Sequence, residues 1–503
     1  MINYKNPIIK GFHPDPSVCR VGKDYYLVTS TFEYFPGIPV YHSTDLINWE
    51  LIGHCIDRAE QLPMEMAKAS GGIWAPTIRY DSGTFYVTAT FSEKGNFIVH
   101  SQFPAKGYSN AVWTEMDGID PSMFFENGEM YYCANDWGSR SKDVEGISVA
   151  AMDPLTGKVK GEIKRIWNGT KNGWLEAPHI YHIGEYYYLF AAEGGSGWGH
   201  MVTTARSKSI WGEYEPCPRN PILTNRNDTS KQVLETGHGD LTEDEEGNYY
   251  LVHLGIRPCA GSKTNLGRET FLTPLRKEDN WFYTKDGKAR INEKICRTDE
   301  RACCKTIEQR SARRVTADFG KTDWEKEWLF VGAPDMANYS RGEGALVLRP
   351  SKESFQKNQT GVTFAAMRQP DFVCEVQTSL ECDGTEIASG LAAYLAPGYF
   401  YRIYLSCEKE GRYVVVEKSA EDFHQTAYRE KVSCKEITFT LRADKDKYRF
   451  SYNINGREIP AAECSTRFLC TAMPNRCFTG TVIGVFAEGN EEETVRIQSF
   501  AMQ

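Results

Sequence analysis

The sequence lacks any uninterrupted stretch of about 18 apolar residues, which excludes a membrane-spanning helix of ordinary length. Its first residues, MINYKNPIIKGFHPDP, contain no apolar core and no cleavage site of the kind that a signal peptide needs. Long helical periodicity is also scarce, which disfavours an α-helical fold. From these absences we expect a cytoplasmic, predominantly β protein without a membrane partner.

Charge and cysteine usage argue against a nucleic-acid-binding protein and a zinc-binding protein. The net charge is −9 and no basic stripe is present, so nucleic acid is not an expected partner. An acidic polymer is also disfavoured as a substrate, although more weakly. The 15 cysteines are odd in number and form no C-x-x-C pair, so we expect reduced thiols and no zinc site.

Aromatic residues, in contrast, are abundant. They make up 13% of the chain, and 27 of them are Tyr. Strands take up aromatic side chains readily, and sugar-binding clefts use the same residues. The excess therefore fits both a β fold and a carbohydrate site. With 503 residues, the chain is long enough for two or three domains.

One short pattern occurs five times in the first half of the chain. Each copy runs through an apolar stretch, turns at a Gly and resumes with aromatics, which is typical of a β-hairpin. The copies are DPSVCRVGKDYY from Asp15, APTIRYDSGTFY from Ala75, DPSMFFENGEMYY from Asp120, APHIYHIGEYYY from Ala177 and GDLTEDEEGNYY from Gly239. A repeat of roughly 45–60 residues predicts propeller blades. We therefore predict a five-bladed β-propeller over residues 1–300, with a strand from Leu266 completing the last blade.

The second half has a different rhythm. A polar stretch ends at Arg314, and residues 301–314 are predicted to be a linker. Beyond it, about nine short alternating segments predict a jelly-roll, concanavalin-like β-sandwich over residues 315–503. The predicted fold class is thus all-β with two domains.

Three carboxylates stand at or beside the start of a repeat: Asp15 in GFHPDPSV, Asp120 in GIDPSMFF and Glu176 in WLEAPHIY. Equivalent positions of propeller blades surround the central channel. We therefore expect these three side chains to converge on one pocket. The plain alternative is an Asp in a turn for the first two and a solvent-facing strand residue for Glu176.

The surroundings of these acids suggest a division of labour. The apolar neighbours of Glu176 should raise the pKa of its carboxyl, as a general acid near neutral pH requires. A second carboxylate roughly 6.5–9.5 Å away could activate water for hydrolysis of a glycosidic bond with inversion. A third could raise the pKa of the acid by repulsion between like charges.

Longer motifs around these acids give the chain a family likeness. GFHPDPSV, TSTFEYFPGIPVYHSTDLINW, GGIWAPTIRY, IDPSMFF, WLEAPHIY, AAEGG, TGHGDL and LGRET resemble glycoside hydrolase family 43. The likeness is greatest to its two-domain β-xylosidase and α-L-arabinofuranosidase branch. It implies that Asp15 is the general base, that Asp120 tunes the pKa of the acid and orients the substrate, and that Glu176 is the general acid.

The same resemblance implies a set of binding residues. Phe32, Trp74 and Ala75 would hold the terminal sugar. Arg268 would reach the sugar hydroxyls or the acid-tuning pair, that is, Asp120 and the acid Glu176. His238 would lie low in the channel and hold a water or a divalent cation, often calcium. A hydrogen bond inside the channel is the alternative, because no oxygen-rich loop accompanies this His. No cofactor is expected for the chemistry itself.

Two residues after the AAEGG motif have open roles. Ser196 and Trp198 are candidates for lining the pocket or the entry to the next sugar site, while a structural Trp is equally compatible with the sequence. The expected enzyme is an exo-acting, inverting β-xylosidase or α-L-arabinofuranosidase acting on small oligosaccharides. A non-catalytic, lectin-like propeller and a retaining levan- or sucrose-cleaving propeller are the alternatives, and a homo-oligomer is left open.

Overall fold

The computed structural model describes residues 2–136, 146–230, 232–259, 261–291, 294–295, 305–306, 309, 314–321, 324–356 and 361–503. Within these ranges the chain is all-β, as predicted, and its helices are single 3₁₀ turns. They comprise Ala59–Gln61, Met64–Met66, Met336–Asn338 and Thr466–Phe468. Most of the predicted linker, 301–314, lies outside the described residues, and its boundaries remain a prediction. Among the described helices, none combines the length and apolarity needed to cross a membrane.

Five four-stranded antiparallel sheets form the predicted propeller. Blade I contains Ser17–Val21, Asp24–Val28, Gly37–Ser43 and Glu50–Ile56. Blade II contains Ile73–Asp81, Thr84–Phe91, Gly95–Ser101 and Val112–Trp113. Blade III contains Ser122–Glu126, Glu129–Asn135, Ile147–Met152 and Lys164–Trp167. Blade IV contains Glu176–Ile183, Tyr186–Glu193, Met201–Ser207 and Glu215–Pro216, and blade V contains Leu234–Glu243, Tyr249–Ile256, Glu269–Glu278 and Trp281–Thr284.

The repeat pattern marks the first two strands of each blade, joined at the predicted Gly turn. In blades II and III the turns are Ser82-Gly83 and Asn127-Gly128, and all four residues have positive φ. Two consecutive positive φ values are what a type I′ hairpin requires. The segment from Leu266 supplies the third strand of blade V, not its last. Residues 281–284, which the sequence pattern did not mark, form the fourth.

A short strand near the start of the chain lies outside the five blades. Ile2–Lys5 pairs antiparallel with Lys294–Ile295 and parallel with Lys305–Thr306. The beginning of the chain is thereby held next to segments that follow blade V.

The predicted β-sandwich is built from two sheets. The first sheet contains Tyr339–Gly342, Ala345–Leu348, Val495–Met502, Cys374–Glu381, Glu436–Ala443, Lys447–Ile454 and Arg457–Ser465, with Val315–Thr316 paired to Val495–Met502. The second sheet contains Phe423–Val432, Gly411–Ala420, Tyr399–Glu408, Ile387–Ala396, Val482–Gly489, Thr363–Arg368, Leu329–Val331 and Tyr34–Phe35. Buried apolar side chains from both sheets meet in one core.

One strand of the second sheet comes from the propeller half of the chain. Tyr34–Phe35 leaves blade I and pairs antiparallel with Leu329–Val331. Phe12, Phe32 and Tyr34 are buried in one apolar cluster with sandwich side chains. The sandwich is therefore docked beside Phe32, one of the predicted sugar-binding residues.

Candidate active site

Each blade contributes one equivalent residue within a few residues of the start of its innermost strand. These residues precede a Pro in four blades and a Gly in the fifth, and each has a positive φ between 27° and 54°. They are Asp15, Ala75, Asp120, Ala177 and His238. Residues other than Gly rarely adopt this conformation, and such strain concentrates at functional sites. The five equivalent residues thus form a circle around the propeller channel, which we call the ring. Glu176 directly precedes the ring residue of blade IV, Ala177.

Asp15 is a buried carboxylate whose partners favour its ionised form. Arg268 Nη1 donates to Asp15 Oδ1 at 2.9 Å, and Ser30 Oγ donates to Oδ2 at 2.6 Å. Burial alone would raise the pKa of Asp15, but Arg268, His238 and Ser30 outweigh burial and hold that pKa below its ordinary value. The side chain is therefore ready to accept a proton near neutral pH.

Asp120 has the opposite character. Burial and the nearby charge of Asp15 raise the pKa of Asp120 to about 6, although His238 and Arg268 oppose the rise. His238 Nδ1 lies 3.8 Å from Asp120 Oδ2 and 3.8 Å from Asp15 Oδ1. The ring therefore brings Asp15, Asp120 and His238 together from three blades.

Glu176 begins the innermost strand of blade IV at an irregular point. The pairing shifts register between Glu176 and His179, so the strand bulges immediately after the carboxylate. Glu176 is half-buried, and the preceding Leu175 is buried. The backbone N–H of Ala177 donates a hydrogen bond to Asp120. This bond connects the strand that carries Glu176 to the acid of blade III.

A second layer of polar residues lies two to four residues further along the innermost strands. Arg79 Nη1 donates to Asp240 Oδ2 at 2.8 Å, and Arg79 Nη2 donates to Asp240 Oδ1 at 3.0 Å. Ser17 Oγ also donates to Asp240, as does the hydroxyl of Tyr181. Burial would raise the pKa of Asp240, but Arg79 and His179 lower it well below the ordinary value. Sequence reasoning missed this layer, although Ser17, His179 and Asp240 occupy the same position in their repeats.

Aromatic side chains from both domains enclose one side of the ring. Phe478, from the sandwich, lies 5.9 Å from Phe32 and 6.5 Å from Trp74 between ring centroids. The Arg268 guanidinium lies 5.5 Å from the centroids of both Phe32 and Phe478. Arg268 was expected to reach sugar hydroxyls or the acid-tuning pair. In the structure its donors bond to Asp15 and, at 3.4 Å, to the Phe478 carbonyl.

Ser70 connects these aromatic residues. Its hydroxyl accepts a hydrogen bond from the Phe478 N–H at 2.9 Å, and its carbonyl accepts one from Trp74 Nε1 at 3.1 Å. Its own N–H donates to the buried Glu33 carboxylate at 3.1 Å. Sequence reasoning singled out neither Ser70 nor Phe478, because neither belongs to the repeat.

The remaining predicted residues are Ala75, Ser196 and Trp198. Ala75 is the buried ring member of blade II. Ser196 lines a small cavity together with Arg268 and Phe478, so it lies beside the pocket. Trp198 is 45% exposed and is not among the described residues that line this cavity.

The predicted calcium ion near His238 would have to be held mostly through water. The described residues contain no group of three His, Cys, Asp or Glu side chains placed to hold a metal. Asp240, two residues after His238, already accepts from Arg79, Ser17, Val18 and Tyr181. Calcium prefers six to eight oxygen ligands, so these residues do not fit an ion held by protein alone.

Comparison with known proteins identifies the family. The sequence profile of "Glycosyl hydrolases family 43" matches residues 4–282, which is more than half of the chain. The chain belongs to glycosyl hydrolase family 43. It is therefore a glycoside hydrolase, and the resemblance noted in its motifs is confirmed. A second profile, "Beta xylosidase C-terminal Concanavalin A-like domain", matches residues 316–501, which agrees with the observed sandwich.

Characterised family 43 relatives match over nearly their whole length. The "Non-reducing end alpha-L-arabinofuranosidase BoGH43B" of Bacteroides ovatus is 35% identical over 99% of this chain and 93% of its own. A Bacillus subtilis "Beta-xylosidase" is 31% identical over 90% and 89%. The solved "Bacteroides ovatus Xyloglucan PUL GH43B" superposes with a TM-score of 0.91 at 33% identity, covering 100% of this chain and 99% of the other. The two-domain, five-bladed architecture is thus shared with the solved Bacteroides ovatus protein.

Proposed function

We propose that this family 43 enzyme is an exo-acting, inverting glycosidase that releases terminal xylose, arabinofuranose or both from xylo- and arabinoxylo-oligosaccharides. The observation that carries the proposal is the contrast between two buried carboxylates that share His238. Asp15 is held ionised by Arg268, whereas the pKa of Asp120 is raised to about 6. Neighbouring carboxyls whose pKa values are pushed apart in this way are typical of the acid–base site of a glycosidase.

In this proposal Asp15 is the general base. Its low pKa keeps it unprotonated, and its carboxylate would remove a proton from the water that attacks the anomeric carbon. Glu176 is the general acid and protonates the leaving oxygen. Single displacement at the anomeric carbon follows if Asp15 and Glu176 leave room for both sugar and water, as a separation of roughly 6.5–9.5 Å would.

Asp120 is proposed to act through its neighbour. Its carboxylate accepts the N–H of Ala177, so its charge lies next to the strand start that carries Glu176. A negative charge there would raise the pKa of the acid and keep Glu176 protonated before catalysis. The same hydrogen bond would help to orient the acid.

Sugar binding is assigned to the wall formed by Phe32, Trp74, Ala75 and Phe478. Aromatic faces and edges suit the apolar faces of a pentose, while Arg268 supplies donors beside Asp15. Because a sandwich residue, Phe478, closes one side, the pocket suits a chain end better than the middle of a polymer. Ser196 and Trp198 are proposed to contact the next sugar unit.

The relatives favour two readings of the substrate. The Bacteroides ovatus relative is named for α-L-arabinofuranosidase activity, and the Bacillus subtilis relative is named for β-xylosidase activity. An α-L-arabinofuranosidase with little xylosidase activity is therefore the second candidate. A non-catalytic carbohydrate-binding propeller is disfavoured, because a lectin has no use for a buried carboxylate pair with opposed pKa shifts.

Location, assembly and cation dependence complete the proposal. The 12 described cysteines are all free thiols, which fits a reducing cytoplasm in which imported small oligosaccharides are degraded. A homo-oligomer remains a prediction for light scattering to test. A water-coordinated calcium ion near His238 also remains a prediction. If that ion contributes, a chelator that removes divalent cations should lower the activity, and added calcium should restore it.

The proposed function is tested with two chromogenic substrates and with NMR. The enzyme should release p-nitrophenol from the β-D-xylopyranoside, the α-L-arabinofuranoside or both. Proton NMR during early turnover on an unmodified oligosaccharide should show a first product of inverted anomeric configuration. A first product of retained configuration would contradict the assignment of Asp15 as base, and release from neither substrate would favour the binding-module alternative.

A further inference from the structure

Two buried cysteines face each other between the sheets of the sandwich. Cys382 directly follows the strand Cys374–Glu381 of the first sheet, and Cys407 lies on the strand Tyr399–Glu408 of the second sheet. Their Sγ atoms are 3.5 Å apart. Exposure is 1% for Cys382 and 3% for Cys407, and both belong to the apolar core of the sandwich.

This separation is close to what a disulfide needs. An S–S bond is about 2.05 Å long, so closing the pair requires an approach of about 1.5 Å. Cys382 lies at the end of its strand, and the next residue, Asp383, has a side chain that is 69% exposed. The thiol is therefore one residue away from solvent, at a position where a strand can shift more easily than at its centre.

The two thiols are chemically different. The pKa of Cys382 is lowered, chiefly because the Cys407 thiol donates a hydrogen bond to it, with help from the Gly384 N–H and the charge of Arg412 against the effect of burial. The pKa of Cys407 is raised well above its ordinary value by the same contact and by burial. Arg412 is held nearby by an ion pair with Asp383 at 3.3 Å. Because the thiolate is the reactive form, Cys382 is the natural first nucleophile of the pair.

We propose that Cys382 and Cys407 form a redox-sensitive cross-link that closes when the protein meets a small-molecule disulfide such as glutathione disulfide. The Cys382 thiolate attacks one sulfur of glutathione disulfide, forms a mixed disulfide and expels one glutathione thiolate. Cys407 then loses its proton and attacks the Cys382 sulfur, which expels the second glutathione thiolate. Two protein thiols are oxidised to one disulfide, and one glutathione disulfide is reduced to two glutathione molecules.

The closed cross-link would stabilise the sandwich. Cys382 and Cys407 are 25 residues apart, and the bond would join the first sheet to the second. Constraining a loop of this size lowers the entropy of the unfolded chain, which favours the folded state. The cysteines that the sequence indicates to be reduced thiols would thus include one pair able to respond to a change in redox conditions. This inference does not depend on the proposed sugar specificity.

Peptide mapping of the full-length, folded protein tests the proposal. The protein is incubated with excess glutathione disulfide, alkylated while denatured and digested with trypsin without reduction. Cys382 falls in peptide 369–402, together with Cys374, and Cys407 falls in peptide 403–409. We expect these two peptides to be joined, with a mass two hydrogens below their sum, and the link to persist in Cys374→Ser. The thermal midpoint should rise by about 5 °C on oxidation and return with dithiothreitol.

Two variants sharpen the result. Cys382→Ser should show neither the link nor the rise in thermal midpoint, whereas Cys434→Ser should keep both. If Cys382→Ser does not fold, mapping of the Cys374→Ser protein alone still decides. A link between peptide 403–409 and peptide 432–435, which contains Cys434, would overturn the proposal. So would a stable glutathione adduct on Cys382 without a cross-link, or no reaction under excess oxidant.

Discussion

Asp120 accepts a hydrogen bond from the backbone N–H of Ala177, the residue that directly follows Glu176. The two acids come from neighbouring blades, yet this bond places the charge of one beside the strand start that carries the other. Changes at Asp120 should therefore affect both the protonation and the orientation of Glu176. The ionised form of Asp120 nevertheless has a cost, because its carboxylate is buried and lies close to that of Asp15, and both raise its pKa.

Replacement of Asp120 should stabilise the protein while it damages catalysis. The pKa of Asp120 is about 6 in the folded protein and 3.8 in the unfolded reference, so the carboxyl favours folding below pH 3.8 and loses that contribution as the pH rises through 6. Asp120→Asn has no such loss. Its gain in unfolding free energy over the wild type should grow by about 1.4 kcal/mol between pH 5 and pH 7.5.

Urea denaturation followed by Trp fluorescence at both pH values measures this gain. Turnover of an unmodified oligosaccharide should fall in the same variant. Without the negative charge of Asp120 nearby, the pKa of Glu176 should fall, and less of this acid is protonated. A stability difference that stays constant or shrinks with pH would show that Asp120 is not a buried acid with a raised pKa.

Glu176→Gln should lower turnover of unmodified oligosaccharides by about 10²–10⁴-fold, because that is the usual contribution of general acid catalysis. The loss should be much smaller with a 2,4-dinitrophenyl glycoside, whose leaving group needs no proton. Glu126→Gln is a matched control, since Glu126 contacts His182 and Tyr187 at the far end of the strand Ser122–Glu126 and should leave both rates near wild type. Equal losses on the two substrates would count against Glu176 as the acid.

Ser70 is expected to position the sugar-binding wall. Ser70→Ala removes the hydroxyl that accepts the Phe478 N–H and leaves the backbone bonds to Trp74 and Glu33 in place. One lost hydrogen bond corresponds to a rise in KM of about threefold to tenfold, with little change in kcat. Ser70→Gly should behave the same way. If Ser70→Gly instead matches the wild type, the hydroxyl of Ser70 does not position Phe478.

The sequence predicted those parts of the structure that recur in every copy of the repeat. Gly turns and aromatic strands recur at blade spacing, and equivalent positions of blades must meet around a channel. That reasoning places Asp15 and Asp120 together without any long-range information, and His238 occupies the equivalent position of blade V. Glu176 directly precedes Ala177, the equivalent residue of blade IV, so its place beside the other acids also follows from the repeat, whereas the bulge after Glu176 does not show in a pattern of residue types.

The parts that the sequence did not predict depend on contacts between the two halves. Phe478 lies outside any repeat, and its partner Ser70 is 408 residues away. The strand Ile387–Ala396 was missed because nearly every residue in it is buried, so it lacks the alternation by which strands are recognised. Tyr34–Phe35 gave no signal that it would join the sandwich sheet, because two residues are too few to carry a period.

Arg268 offers a separate test of Asp15 as the base. The Arg268 guanidinium donates to Asp15 Oδ1 at 2.9 Å and is a main reason why the pKa of Asp15 is low despite burial. Arg268→Met removes the charge and leaves the carboxylate buried, so the pKa of Asp15 should rise. Asp15 would then be protonated at pH values at which it is unprotonated in the wild type.

The measurement is the pH profile of kcat/KM. We expect its acidic limb to move toward neutral pH in Arg268→Met, by about one pH unit or more, in addition to a general loss of activity. Arg476→Met is the control. Arg476 lies over Trp74 and Phe478, so this substitution removes a nearby cation of the same size. It should lower affinity without moving the acidic limb. An unmoved limb in Arg268→Met would mean that the protonation of Asp15 does not limit the reaction, and the base would have to be sought elsewhere in the ring.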